Sequence, residues 1–153
     1  CRVEGAGRLG EGLAPLSPAG PVMTCREALA LAVWERHSVQ AAARRDLGVG
    51  VVGLEHFGTY ACRSIRGDAA HLSQHGLANA IDISGFILAD HREISVLKDY
   101  RRGDGAGRFL RRVHRDGCRV FGHSLGPDFN AAHKDHLHLD MADFGWGLAG
   151  FCR

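Results

Sequence analysis

The apolar positions of this chain change period several times, and each change marks a boundary. Residues 1–23 show no regular alternation and hold several turn formers (Gly5, Gly7, Pro15, Pro18, Pro21), so they read as an irregular arm. Thr24-Cys25-Arg26-Glu27 then matches a capping box, with Thr24 as N-cap and Glu27 reaching back to it. Leu29, Ala32, Val33 and Arg36 follow at helical spacing, and Gly48 supplies the stop. One amphipathic helix over about 24–46 is predicted.

Beyond it the period falls to two. Residues 49–57, 80–88 and 119–123 predict strands, and a second helix fits about 105–116 with Phe109, Leu110 and Val113 on its buried side. Gly103-Asp104-Gly105-Ala106-Gly107 lacks the Lys that follows a phosphate loop and reads as the turn into that helix. The last run, 136–140, alternates strictly. Period two puts His136, His138 and Asp140 on one face and Leu137 and Leu139 on the other. Helix, strands, helix, strands implies an α+β fold, a small antiparallel sheet flanked by helices, in one domain across 1–153.

Composition narrows the class. A chain of 153 residues that is 45% hydrophobic can build its own core. Its net charge is only +2, and no basic stripe interleaves with aromatics, so nucleic acid is not the expected partner. Arg44-Arg45, Arg101-Arg102 and Arg111-Arg112 read as solvated faces. No apolar run reaches the ~18 residues of a membrane span. The chain starts at Cys1 without a Met and reads as a trimmed product, expected to be monomeric.

Cysteine and histidine counts change the picture further. Five cysteines without a CxxC pair point to an oxidising, extracytoplasmic compartment and at least two disulfides. The expected pairs are Cys1 with Cys25 and Cys62 with Cys118, leaving Cys152. Ten histidines favour metal or proton chemistry, and spacing must decide between them.

Zinc takes imidazole and carboxylate ligands, and a catalytic site pairs three protein ligands with an open position. Two segments offer such groups. In Ser73-Gln74-His75-Gly76-Leu77-Ala78-Asn79-Ala80-Ile81-Asp82, a loop histidine precedes a strand aspartate by seven residues. Ile81 and Ile83 point to the core, so the Asp82 carboxylate faces the other side, where it needs a partner or a metal. In Asp135-His136-Leu137-His138 the strand presents two imidazoles on one face. Asp140 shares that face and is placed to orient His138. His133 reads as a cap of the preceding turn, Ser73 as a loop-stabilising hydroxyl, and His56, His71, His91, His114 and His123 as surface or locally bonded histidines.

At these residues the chain resembles the zinc D-alanyl-D-alanine peptidases and their relatives, the lysostaphin-type endopeptidases and the hedgehog amino-terminal domain. Together with Gly58 to Arg63 and Leu125 to Asp140, it resembles more closely the bacterial extensin-like carboxy-terminal domain, over nearly all its length. The resemblance implies zinc held by His75, Asp82 and His138. It implies Asp135 as general base, His136 beside the reacting carbonyl and Arg63 as an oxyanion group. The implied activity is zinc-dependent hydrolysis of amide bonds in peptidoglycan peptides, by a carboxypeptidase or an endopeptidase. Two departures stand out: Ala78 replaces a common glycine, and Asp135 is one methylene shorter than the usual Glu. The second favours an alternative, a catalytically silent zinc-stabilised binding domain.

Overall fold

A computed structural model describes residues 1, 3–9, 14–65, 67–142 and 151–153. In chain order the strands and helices are β1 (Ala6–Arg8), β2 (Leu16–Ser17), β3 (Val22–Thr24), α1 (Cys25–Trp34), α2 (Gln40–Leu47) and β4 (Val51–His56). Then come β5 (Ser64–Ile65), β6 (Asp68–Leu72), β7 (Ala80–Leu88), β8 (Glu93–Ser95), α3 (Val96–Asp99) and α4 (Gly105–Gly117). The chain closes with β9 (His123–Leu125), β10 (Leu137–Asp140) and β11 (Phe151–Cys152). The mixed α+β class is as expected. The arm is not irregular, because it supplies β1, β2 and β3, and its Leu16 packs against the core. Strands this short carry no period of their own; their partners β3 and β4 define them.

One helical run covers α1, a π-turn at Glu35–Val39 and α2, and it ends at Gly48 with φ 78°. Thr24 caps it by accepting from the Glu27 N–H. Its buried face is Glu27, Ala30, Leu31 and Trp34, then Val39, Ala42 and Ala43. The expected face was wrong: Leu29 is 66% and Val33 40% exposed. Every residue from Ala28 to Trp34 is apolar, so several stripes look alike, and Trp34 decides by filling the core. The π-turn inserts one residue between Trp34 and Val39, which rephases α2 so that both halves bury the same side. The capping box is also half formed. Thr24 N–H donates to the Ala78 carbonyl, and the Glu27 carboxyl turns inward instead.

The main sheet runs β11-β9-β10-β7-β4-β2, with β8 added to β7. Its interior pairings are antiparallel, as expected, but both edges are parallel, β11 on β9 and β2 on β4. The strand expected at 119–123 begins only at His123, because residues 118–121 still turn back onto 115–117 through backbone hydrogen bonds. β7 has the expected bounds, and α4 buries Phe109, Leu110 and Val113 as expected. Asp104 caps α4 through the Ala106 and Gly107 N–H groups, so the glycine-rich run is its turn. Core aromatic rings Trp34, Phe86 and Phe109 pack between the helices and the sheet.

A register shift between Glu55 and His56 places a bulge in β4–β7 opposite Ser84. Before it the buried residues are Ile81 and Ile83; after it they are Phe86 and Leu88. The bulge therefore exchanges the two faces of β7, and it aims Asp82 and Ser84 away from the core.

The disulfides differ from expectation. Cys1 pairs with Cys62 and Cys118 with Cys152, while Cys25 is free and exposed. Cys25 opens α1 at its exposed face, whereas Cys1 lies against the segment before β5. Among the described residues no helix is long and apolar enough to cross a membrane.

Glu27 is fully buried, and neither carboxyl oxygen has a hydrogen-bond partner among the described residues. Burial first, and then the Asp140 charge, push its carboxyl well above the ordinary carboxylate range. The folded state therefore holds this proton more tightly than the unfolded chain, and stability is lost as pH rises above the unfolded value. Glu27→Met is expected to raise the urea-unfolding stability by ~1–3 kcal/mol at pH 8, with a smaller gain at pH 4. Equal gains at both values would show that the carboxyl is not strained by its site.

Candidate metal centre

Three elements bring the expected ligands together. A 3-10 turn at Gln74–Leu77 carries His75, and Ser73 opens it by accepting from the His75 N–H at 3.3 Å. Ala78 ends the turn in the left-handed region at φ 52°, a conformation that costs an alanine about 1–2 kcal/mol. Its N–H on the His75 carbonyl and its carbonyl on Thr24 N–H hold it there. The chain then enters β7, and β10 pairs with β7 so that His138 lies directly across from Asp82.

The donor atoms converge. His138 Nδ1 lies 2.8 Å from Asp82 Oδ1, His75 Nε2 3.2 Å from Asp82 Oδ2, and the two imidazole nitrogens are 3.2 Å apart. Ligands bonded at ~2.0–2.1 Å on a zinc tetrahedron sit ~3.3 Å from one another. Among the described residues this is the group of three whose ligand atoms fit a metal.

The far side of each ring fixes its tautomer. His75 Nδ1 donates to the Thr59 carbonyl at 3.1 Å, so Nε2 keeps its lone pair. His138 Nε2 donates to Asp140 Oδ2 at 2.9 Å, which frees Nδ1. His123, paired with Asp140 across β9–β10, bonds the same carboxylate at 3.2 Å. With Nδ1 of His138 deprotonated, two lone pairs and a carboxylate face one another and could hold a cation. The donor set suits zinc, and its outer partners are those that orient metal-bound imidazoles.

The other expected residues lie at different distances from this centre. His136 Nε2 is 3.6 Å from Asp82 Oδ1, and its Nδ1 is bonded to Asp135 Oδ1 at 2.9 Å. Phe57 packs edge-on against the His136 ring. Asp135 therefore meets the centre through His136. His133 caps nothing; it bonds Asn130 at 2.8 Å in its own turn, with its ring against His136 and His138. Arg63 is exposed, and its guanidinium has no bonded partner among the described residues; only its carbonyl helps, accepting from Ser73 N–H. His71 stays at the surface on Asp68, while His114 is buried between Tyr100 and the Ser124 carbonyl. Thr59, His123 and Glu27 were not anticipated. A backbone carbonyl leaves no sequence signal, whereas His123 is traceable once β9 is set against Asp140.

The model of the family described as extensin-like protein C-terminus matches residues 1–153. The chain belongs to this family. No curated protein and no solved structure is significantly similar to it.

The side chains of the candidate centre are strongly coupled. Burial disfavours a charged His138, but hydrogen bonds to Asp140 and Asp82 outweigh it and push the imidazole up to about 9. Burial acts against the Asp82 charge as well, yet bonds from His138 and His75 hold that carboxyl well below its usual range. Asp140, likewise buried but bonded by His123 and His138, is held down to about 2. Burial, and then the neighbouring His136 and His138, lower His133 to about 4. In the metal-free protein a proton thus stands where the ion would.

A metal ion must displace that proton from His138. Zinc affinity, measured by competition with a chelator, is expected to rise about tenfold per pH unit from pH 7 to about 9 and to level off above. The metal-free fold is expected to follow the opposite trend: the His138 contribution is complete below about 6.5 and is lost as pH rises through about 9. An affinity flat between pH 7 and 9 would contradict the assignment of His138.

Proposed function

We propose that this domain is a zinc-dependent hydrolase of amide bonds in peptidoglycan peptides, working outside the cytoplasm. The observation that carries the reading is the convergence of His75 Nε2, Asp82 and His138 Nδ1 at the edge lengths of a tetrahedron, with both outer nitrogens already bonded. The substrate class follows from the resemblance of the quoted motifs to the D-alanyl-D-alanine peptidases. The two disulfides fit an oxidising compartment.

When bound, zinc supplies Lewis acidity toward a carbonyl oxygen and acidifies a water molecule. The protein's own share is proton transfer. His136 presents Nε2 toward the centre, and its Nδ1–H is held by Asp135 Oδ1. This carboxylate–imidazole pair takes a proton from the attacking water and returns it to the leaving amine. The shorter side chain of Asp135 matters less in this arrangement, since His136 spans the gap. Phe57, packed on the ring, limits its rotation.

One observation favours the second reading, a zinc-stabilised binding domain without catalysis. Arg63, the implied oxyanion group, is exposed, and its guanidinium has no bonded partner among the described residues. Kinetics separate the two. Asp135→Asn is expected to retain zinc and lower turnover of a muropeptide by ~10²–10⁴, and His136→Ala to do at least the same. His138→Ala is expected to lose metal and activity together. If fully zinc-loaded protein cleaves no muropeptide, the binding-domain reading replaces the enzyme.

A further inference from the structure

A cleft of about 370 Å³ opens near the candidate centre, and Asp135, the partner of His136, lines it. Its wall also includes Glu55, His56, Phe57, Ser84 and Ser95. The bulge in β4–β7 builds it. Glu55 pairs across to Gly85, and Gly85 to Ser95, so these residues form one row over three strands.

Two polar groups in this wall lack a partner among the described residues. The half-buried Glu55 carboxylate makes no hydrogen bond or ion pair among the described residues. It lies across Gly85, where a Cβ would meet Glu55 Oε2 at 2.5 Å and displace it. His56 is 7% exposed, its Nε2 is bonded to the Pro18 carbonyl, and its Nδ1 is buried without a partner. A half-buried carboxylate over a glycine, with serines around it and no cationic side chain bonded to it among the described residues, can accept from a donor that a ligand brings.

We infer that this cleft is a substrate subsite for a primary ammonium group, held by Glu55 and carried on the peptide whose scissile amide lies at the metal centre. The compact ammonium suits the wall. It offers three donors in different directions, which one carboxylate and neighbouring hydroxyls can accept, whereas a planar guanidinium calls for a facing bidentate acceptor. Phe57 edges both the cleft and His136, so an alkyl stem lying on this ring would lead from the centre to Glu55. The position of the amide rests on the hydrolase reading; the ammonium site does not.

The test is therefore a binding experiment. Nα-acetyl-Lys-D-Ala-D-Ala and its Nα,Nε-diacetyl form are titrated into the zinc-loaded protein and followed by NMR, which reports affinity, the amides that shift and any cleavage. The free-amine peptide is expected to bind about tenfold or more tightly, shifting the Glu55, Ser84 and Ser95 amides. Glu55→Gln is expected to equalise the two peptides. Gly85→Ala, which retains the acid but displaces it, is expected to reduce the preference as well. Equal affinity for both peptides, binding of neither, or a preference that survives Glu55→Gln would overturn the subsite. A preference without cleavage would keep the subsite and reject the hydrolase; cleavage of both peptides at equal affinity would do the reverse.

Discussion

Pairing of β10 with β7 in a single register is the constraint from which the site follows. Leu137 and Leu139 are fully buried on one side of β10, beside Ile81 and Ile83 of β7. Each such side chain contributes about 1.5–3 kcal/mol by leaving water. A slip of one residue would push His138 into the core and expose both leucines, so the hydrophobic term fixes the register. That register puts His138 opposite Asp82. The core thus forces a carboxylate and an imidazole together on the other face, and the Gln74–Leu77 turn adds the third donor.

Burying these groups requires support, and the structure layers it outward. Thr59, Asp140 and His123 hold the nitrogens and the carboxylate that point away from the centre. Glu27, pushed up first by its burial, is pushed further by the Asp140 charge. The bulge at Ser84 shifts the alternation of β7, and Ser84 lines the cleft where Glu55 sits. The candidate centre and the cleft therefore draw on one strand, Asp82 before the bulge and Ser84 at it.

Much of this was readable from the residues, for identifiable reasons. β7 is a nine-residue run of β-branched and apolar positions, long enough for its period to show, and α4 has one clear apolar stripe. The ligand residues stood out because polar groups were interleaved with such patterns. The buried face of α1 did not, since an all-apolar stretch cannot rank its own stripes and Trp34 selects one only by packing. The arm's strands and the parallel edges depend on distant partners. The disulfides depend on proximity in space, which joins Cys1 to Cys62 across 61 residues and leaves the nearer Cys25 free.

We propose that His75, Asp82 and His138 hold one zinc ion. Zinc K-edge X-ray absorption on protein purified without chelators tests it most directly. The account predicts one zinc per chain with nitrogen and oxygen neighbours alone at ~2.0–2.1 Å, two of them showing the outer-shell scattering of imidazole. A sulfur shell near ~2.3 Å, or zinc content unchanged by His138→Ala, would contradict it.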